Sequence, residues 1–188
     1  MDECIKKYFR DSLEFEQFNV SLKLVPCPHL ECRNIGFLIQ HGRLMGMPEN
    51  LHESQLSYRG HRYFCSNKKN RKGCGHTFSI LWADCLRGFS VRAKTLSVAL
   101  SRLVVMRDSK SSVSRTISFS RSTLQRWWRH FKKNQNRLRV ILCRICDPPT
   151  LPSGASSLLE LWEHLKTVCT GGLCLVSNFQ LQFQKSFF

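Results

Sequence analysis

The sequence predicts an α+β chain, with a small antiparallel β unit stapled by metal ahead of a helix-turn-helix three-helix module and a short helical tail. Three observations carry this expectation. Two cysteine turns, Cys27 to Cys32 and Cys65 to Cys74, lie within residues 25–82. Aromatic and β-branched runs flank the second turn, with Arg62-Tyr63-Phe64 before it and Thr77-Phe78-Ser79-Ile80-Leu81-Trp82 after it. From about residue 90, apolar residues recur at the three- and four-residue spacing of helices.

Four segments follow in order. Residues 1–24 mix acids with Phe9, Leu13, Phe15 and Phe18; Leu13 and Phe18 fall off a single stripe, which suits only a short helix. Residues 25–82 are the expected zinc ribbon. Within it Ile35-Gly36-Phe37-Leu38-Ile39 reads as a strand, and the runs on either side of the second turn read as a hairpin. Gly42 to Ser57, with Gly46, Pro48 and Asn50, reads as an inserted loop. Residues 88–146 are expected to hold three helices. The first carries Leu96, Leu100, Leu103 and Val104 behind Ser90 as its cap. The second starts between Ser109 and Ser114 and carries Val113 and Ile117. The third, capped by Ser120 or Ser122, turns Leu124, Trp128, Phe131 and Leu138 inward and runs to about Cys146. Asp147-Pro148-Pro149 stops it, because proline cannot continue a helix and restricts the residue before it. Residues 147–188 add a helix around Leu158, Leu159, Leu161, Trp162 and Leu165. Phe179-Gln180-Leu181-Gln182-Phe183 alternates with period two, as an edge strand would.

The formal net charge of +16 is unevenly placed. Ser54 to Cys146 hold 21 Lys/Arg against two acids, Asp84 and Asp108, while the rest of the chain sums to −3. A solvated basic face accounts for a helix or two. An excess of 19 over 93 residues points instead to a polyanion, with nucleic acid first. Met1-Asp2-Glu3-Cys4-Ile5-Lys6-Lys7 lacks the apolar core of an export signal, and no run reaches the roughly 18 apolar residues of a membrane helix. The expected setting is a reducing cytoplasm with nucleoid association and no membrane partner. In such a setting the ten cysteines more often bind metal than each other.

Cys27, Cys32, Cys65 and Cys74 are the expected metal ligands, each pair bracketing a turn; Pro28 and Gly75 suit tight backbone geometry there. Four thiolates on one Zn2+ can fold a segment too small to bury its own core. They also leave no open position for a reactive water, so the ion is expected to be structural. The alternative is four buried thiols without metal. His29 and His76 could replace a thiolate or stand as solvated donors. Cys143, Cys146, Cys169 and Cys174 have the spacing for a second ion, yet the first two fall at a helix end without strands beside them, so core packing is expected there. Cys4 and Cys85 have no evident role.

The stretch Ser111 to Arg129 has the pattern of a helix-turn-helix, whose last helix enters the major groove by its first turns. Arg121, Ser122, Thr123, Gln125 and Arg126 then face base edges, since Arg suits guanine and Gln suits adenine. Arg129, Lys132 and Lys133 lie along phosphates, and Lys68, Lys69, Arg71 and Lys72 of the second cysteine loop, which holds no acid, reach a neighbouring stretch. Trp127 is expected to pack at the rim, with base stacking as the alternative.

The Cys-Pro turn, the Arg62-Tyr63-Phe64-Cys65 and Gly73-Cys74-Gly75-His76-Thr77-Phe78-Ser79 blocks, and the helices after them resemble the amino-terminal part of bacterial insertion-sequence transposases. In that family a zinc ribbon and a helical module recognise the terminal repeats of the element. The resemblance covers about residues 25–140 and implies duplex DNA as partner, with a homo-oligomer or a transposition partner left open. Both cysteine turns are longer than the usual two-residue separation. The family cuts DNA with three spaced carboxylates on two Mg2+, whereas only Asp147, Glu160 and Glu163 follow the helical module here. The expectation is therefore a non-catalytic, zinc-stabilised DNA-binding protein. The alternatives are a subunit or remnant of a metal-dependent transposase or nuclease, or an RNA-binding zinc ribbon using Tyr63, Phe64 and Phe78 to stack on bases. His41, His52, His61 and His130 are scattered and expected at the polar surface.

Overall fold

The computed structural model describes residues 7–46, 56–68 and 70–188. These hold a four-stranded sheet and six α-helices, an α+β chain. The chain divides into two compact units, Met1–Cys85 and Leu86–Phe188, each with its own core.

In the first unit the sheet order is β1 (Tyr8–Phe9), β4 (Thr77–Trp82), β3 (Ser57–Cys65), β2 (Leu38–Gly46). β2, β3 and β4 are antiparallel, while β1 lies parallel to β4. β2 begins at Leu38, three residues later than the expected strand, because Ile35 instead bridges back to Pro26. It then runs on to Gly46, where a loop was expected, and pairs with β3 through register shifts at Gln40/Gly42 and Leu44/Met45. Those irregularities explain why no clean alternation marks it in the sequence. Residues 47–55 of the expected loop, with Pro48, Asn50 and His52, lie outside the described residues, as do Cys4 and Lys69, and Ser57 at its far end opens β3.

Period two decides the core of this unit. Arg59, His61, Tyr63 and Cys65 are buried at alternate positions of β3. Above them sits α1 (Ser12–Ser21), started by Asp11, whose side chain accepts the Glu14 N–H at 2.9 Å. α1 lowers Phe15 onto this face and leaves Leu13 exposed. Phe15 meets Phe9 edge-on at 5.7 Å and lies flat on His61 at 4.2 Å, and Tyr63 Oη donates to Asn19 Oδ1 at 3.1 Å. Residues before the first cysteine turn are thus part of this core.

The second unit is helical: α2 (Ala93–Val104), α3 (Lys110–Ile117), α4 (Arg121–Leu142), α5 (Ser157–Val168) and α6 (Leu175–Phe183). Serine caps start three of them. Ser109 accepts from Ser112, Ser120 from Thr123 and Ser156 from Leu159, each at 3.2 Å. Ser90 does not cap α2; Arg92 occupies the N-cap position, and its side chain does not bond the first turn of the helix. α4 stops at Leu142, where the Ile145 N–H bonds the Leu142 carbonyl and tightens the last turn.

Two expectations are overturned here. Trp127, not Trp128, is the core tryptophan: it is 1% exposed and meets Phe119 at 5.0 Å, while Trp128 is half-buried. At about 100° per residue, Trp127 falls on the arc of Leu124, Phe131 and Leu138, whereas Trp128 falls at its edge. The expected edge strand at 179–183 is helix α6. Phe179 and Phe183 sit one helical turn apart with rings 4.9 Å apart, and Val176 is buried beside them. The pairing of 179 with 183 fits both periods, and Val176 decides for the helix. The carboxyl-terminal residues pack into the same core. Phe187 is fully buried and stacks on Phe131, and Arg137 Nη2 donates to the Ser186 and Phe187 carbonyls.

Candidate functional site

Cys27, Cys32, Cys65 and Cys74 converge in the first unit. The first turn is closed by the Cys32 N–H bonding the His29 carbonyl at 3.0 Å, and by Arg33 in a left-handed conformation (φ 47°). The Cys27 N–H bonds the Asn34 carbonyl at 3.0 Å, which folds the chain back behind it. The second turn hangs from the end of β3: the Cys65 N–H bonds the His76 carbonyl and the Gly75 N–H bonds the Cys65 carbonyl, both at 2.9 Å. Glycine is required on both sides of Cys74. Gly75 has φ +76°, and a β-carbon at Gly73 would stand 2.2 Å from the Ser66 carbonyl oxygen. Asn34 ties the turns together by donating to the Lys72 carbonyl.

The sulfur geometry fits a metal ion. Cys27 Sγ lies 3.7 Å from Cys74 Sγ, Cys32 Sγ lies 3.8 Å from Cys65 Sγ, and all four fall within 4.8 Å of one another. A tetrahedral ion with metal–sulfur bonds of about 2.3 Å holds its ligands about 3.8 Å apart. Two opposite edges of the group have that length, and no disulfide joins them.

Burial and nearby backbone N–H groups act on these thiols in opposite directions. Burial pushes the Cys27 and Cys65 thiols up, with backbone N–H groups of His29 and Cys74 opposing it. The Cys74 N–H lies 3.4 Å from Cys65 Sγ. Cys32 is lowered, chiefly by the Asn34 backbone. Burial therefore favours the neutral thiol at two of the four cysteines, a preference that a cation placed among the sulfurs would reverse by its own charge.

The carboxyl-terminal cysteines do not form such a group among the described residues. Cys146 Sγ lies 3.6 Å from His164 Nε2, and Cys174 Sγ lies 3.2 Å from Ser177 Oγ. Cys169 is buried after α5, and burial pushes its thiol to about 12. Cys85 is buried with its thiol 3.4 Å from Asp84 Oδ1.

The expected DNA-facing residues lie on α4 and in the second cysteine turn. α3 and α4 are joined by Ser118, Phe119 and Ser120, with Ser118 left-handed (φ 56°). Arg121, Arg126, Arg129, Lys132 and Lys133 are exposed, and Gln125 is half-buried. At about 100° per residue they share one side of α4, opposite the buried stripe of Leu124, Trp127, Phe131 and Leu138. Among the described residues no acid pairs with these five cations. Ser122 and Thr123 are engaged by the helix cap: each hydroxyl lies 2.9 Å from Ser120 Oγ. Lys68, Arg71 and Lys72 are exposed.

Of the downstream acids, Glu160 pairs with Arg139 at 3.2 Å and Glu163 with Lys166 at 2.8 Å. Tyr63 is fully buried against Phe78, which withdraws it from base stacking.

No protein-family model, curated protein or solved structure matches the chain. No helix among the described residues is long and apolar enough to cross a membrane.

His61, expected at the surface, is instead 8% exposed, because its odd-numbered register with Tyr63 and Cys65 turns it inward. It lines an open cleft of about 410 Å³ with Ser12, Phe15, Glu16, Arg43, Tyr58 and Trp82. The alternation of Arg59, His61, Tyr63 and Cys65 was the signal available for it. Gln40 Nε2 stands 2.7 Å from its Nδ1, an arrangement that suits the unprotonated ring. Burial, and then Arg43, hold His61 below its ordinary value of 6.5. The unfolded chain therefore takes up a proton that the native unit resists, and stability falls as pH drops below 6.5. Urea unfolding of the metal-loaded protein above and below that pH is expected to give a shallower pH dependence for His61→Gln than for the parent. Identical dependences would remove His61 from the account.

Proposed function

We propose that this chain is a zinc-stabilised, non-catalytic DNA-binding protein, in which α3 and α4 act as a helix-turn-helix and Cys27, Cys32, Cys65 and Cys74 hold one structural Zn2+. The all-sulfur donor set, with two opposite edges at tetrahedral length and all four atoms within 4.8 Å of one another, suits Zn2+, which takes four such ligands and has no redox chemistry. The observation that carries DNA is the row of five unpaired cations on the exposed side of a buried, capped helix. Cations without acidic partners are free to displace the counterions of a phosphate backbone.

In this reading α4 lies in the major groove. Arg121, Gln125 and Arg126 reach base edges, while Arg129, Lys132 and Lys133 take phosphates. Lys68, Arg71 and Lys72 of the metal turn add phosphate contacts. On the resemblance read from the cysteine turns and helices of residues 25–140 to insertion-sequence transposases, the proposed target is a mobile-element terminus.

Six phosphate-directed cations imply a slope of about −5 in log affinity against log salt. Fluorescence anisotropy with a labelled duplex is expected to give that slope, and Lys132→Ala with Lys133→Ala to flatten it by about 2. No complex at low salt with the zinc-loaded protein would defeat the proposal. Tighter binding to single-stranded RNA, or Mg2+-dependent nicking of supercoiled plasmid that survives purification, would replace it with one of the two alternatives.

A further inference from the structure

We infer that the centre holds a second metal ion beside the first, ligated by His29 and His76 and sharing the Cys74 thiolate as a bridge. The inference rests on the zinc reading above for the first ion. Each cysteine turn carries the same triplet, a ligand cysteine followed two residues later by histidine: Cys27-Pro28-His29 and Cys74-Gly75-His76. The turns bring both rings to one side of the sulfur group, where they stack at 4.0 Å with 17° between planes. One donor atom each from His29, Cys74 and His76 falls within 4.8 Å of the others.

His29 Nδ1 supplies a separate indication. It is buried and has no hydrogen-bond partner among the described residues. A buried nitrogen left without a partner costs free energy that a bound ion would recover. Both histidines sit on backbone fixed by the turns themselves. The His29 carbonyl takes the Cys32 and Arg33 N–H groups, and the His76 carbonyl takes that of Cys65. The backbone therefore keeps the two rings near each other, and each ring turns out of the stack to aim its in-plane nitrogen lone pair at the shared ion.

The donor chemistry selects the ion. Two imidazoles and a thiolate suit a borderline divalent cation such as Zn2+ or Co2+ over Mg2+ or Ca2+, which prefer oxygen. A thiolate already bound to one cation keeps lone pairs for a second. Two nitrogens and one sulfur leave a fourth position for water or an anion, so the second ion is open where the first is closed. The exposed Lys68, Arg71 and Lys72 belong to the same turn as Cys74, which makes a phosphate oxygen a suitable fourth ligand.

Titrating the reduced, metal-free full chain with Co2+ under anaerobic conditions tests this. The expected result is uptake of two equivalents. The first brings the sulfur-to-cobalt charge-transfer and visible bands of a tetrathiolate, and the second adds a distinct mixed nitrogen–sulfur spectrum. His29→Ala with His76→Ala is expected to abolish the second step and leave the first spectrum unchanged. Uptake of a single tetrathiolate equivalent by the parent would overturn the second site while leaving the first. A double variant that still binds two equivalents would overturn it too, as would one whose first spectrum shifts, since a histidine would then belong to the first ion. Absence of any tetrathiolate spectrum would instead remove the first ion and the proposed function with it.

Discussion

Replacing Cys65 by serine is expected to abolish stoichiometric metal binding and to unfold the first unit, while the helices of 86–188 remain. Cys65 is fully buried, ends β3 and closes the second turn through both its N–H and its carbonyl. Structural Zn2+ sites contribute about 10–16 kcal/mol at neutral pH, comparable with a small domain's entire net stability of about 5–15 kcal/mol. Loss of one ligand from such a site therefore cannot be absorbed by the aromatic core of α1 and the sheet. Metal analysis with near- and far-ultraviolet circular dichroism reads both effects, and Cys85→Ser, also buried but outside the sulfur group, is expected to keep its metal. A Cys65→Ser protein with full metal content and parental unfolding would refute the assignment of the centre.

Trp127→Ala is expected to destabilise the second unit by about 3–5 kcal/mol, as truncation of a buried aromatic does. Trp128→Ala is expected to cost clearly less, because that ring is half-buried. The Trp127 ring anchors Phe119 of the α3–α4 turn edge-on, so its loss also frees the first turns of α4. On the proposed function, DNA affinity is then expected to fall although no cation is touched. Urea unfolding followed at the helical signal distinguishes the two variants, and a larger loss for Trp128→Ala would contradict the packing described.

Much of this was legible in the residues. The α+β class followed from two flanked cysteine turns and a later change to helical spacing. Serines 109 and 120 precede two helices and cap them as expected, a local signal because the capping bond spans only three residues; Ser156 caps α5 in the same way, although no cap was expected there. The four cysteines that converge are the two pairs that bracket the first two turns; glycine alone was no guide, since Gly171 and Gly172 lie between Cys169 and Cys174, which join no such group among the described residues. Less legible were the features set by distant partners. Tyr8–Phe9 becomes a strand only because β4 offers it a parallel edge. β2 carries irregularities that erase its alternation. Residues 179–183 satisfied two periods at once, and burial of Val176 against the same core separated them.

The chain's order alone pointed to the two cysteine turns, the starts of α3 and α4 and the cationic side of α4, because each depends on spacing within a turn or two of backbone. Tertiary packing decided which tryptophan faces inward, where the final residues go and that His61 is enclosed. It also decided that His29 and His76 meet. Their triplets lie far apart in sequence, and only the closing of both turns around one sulfur group stacks the two rings.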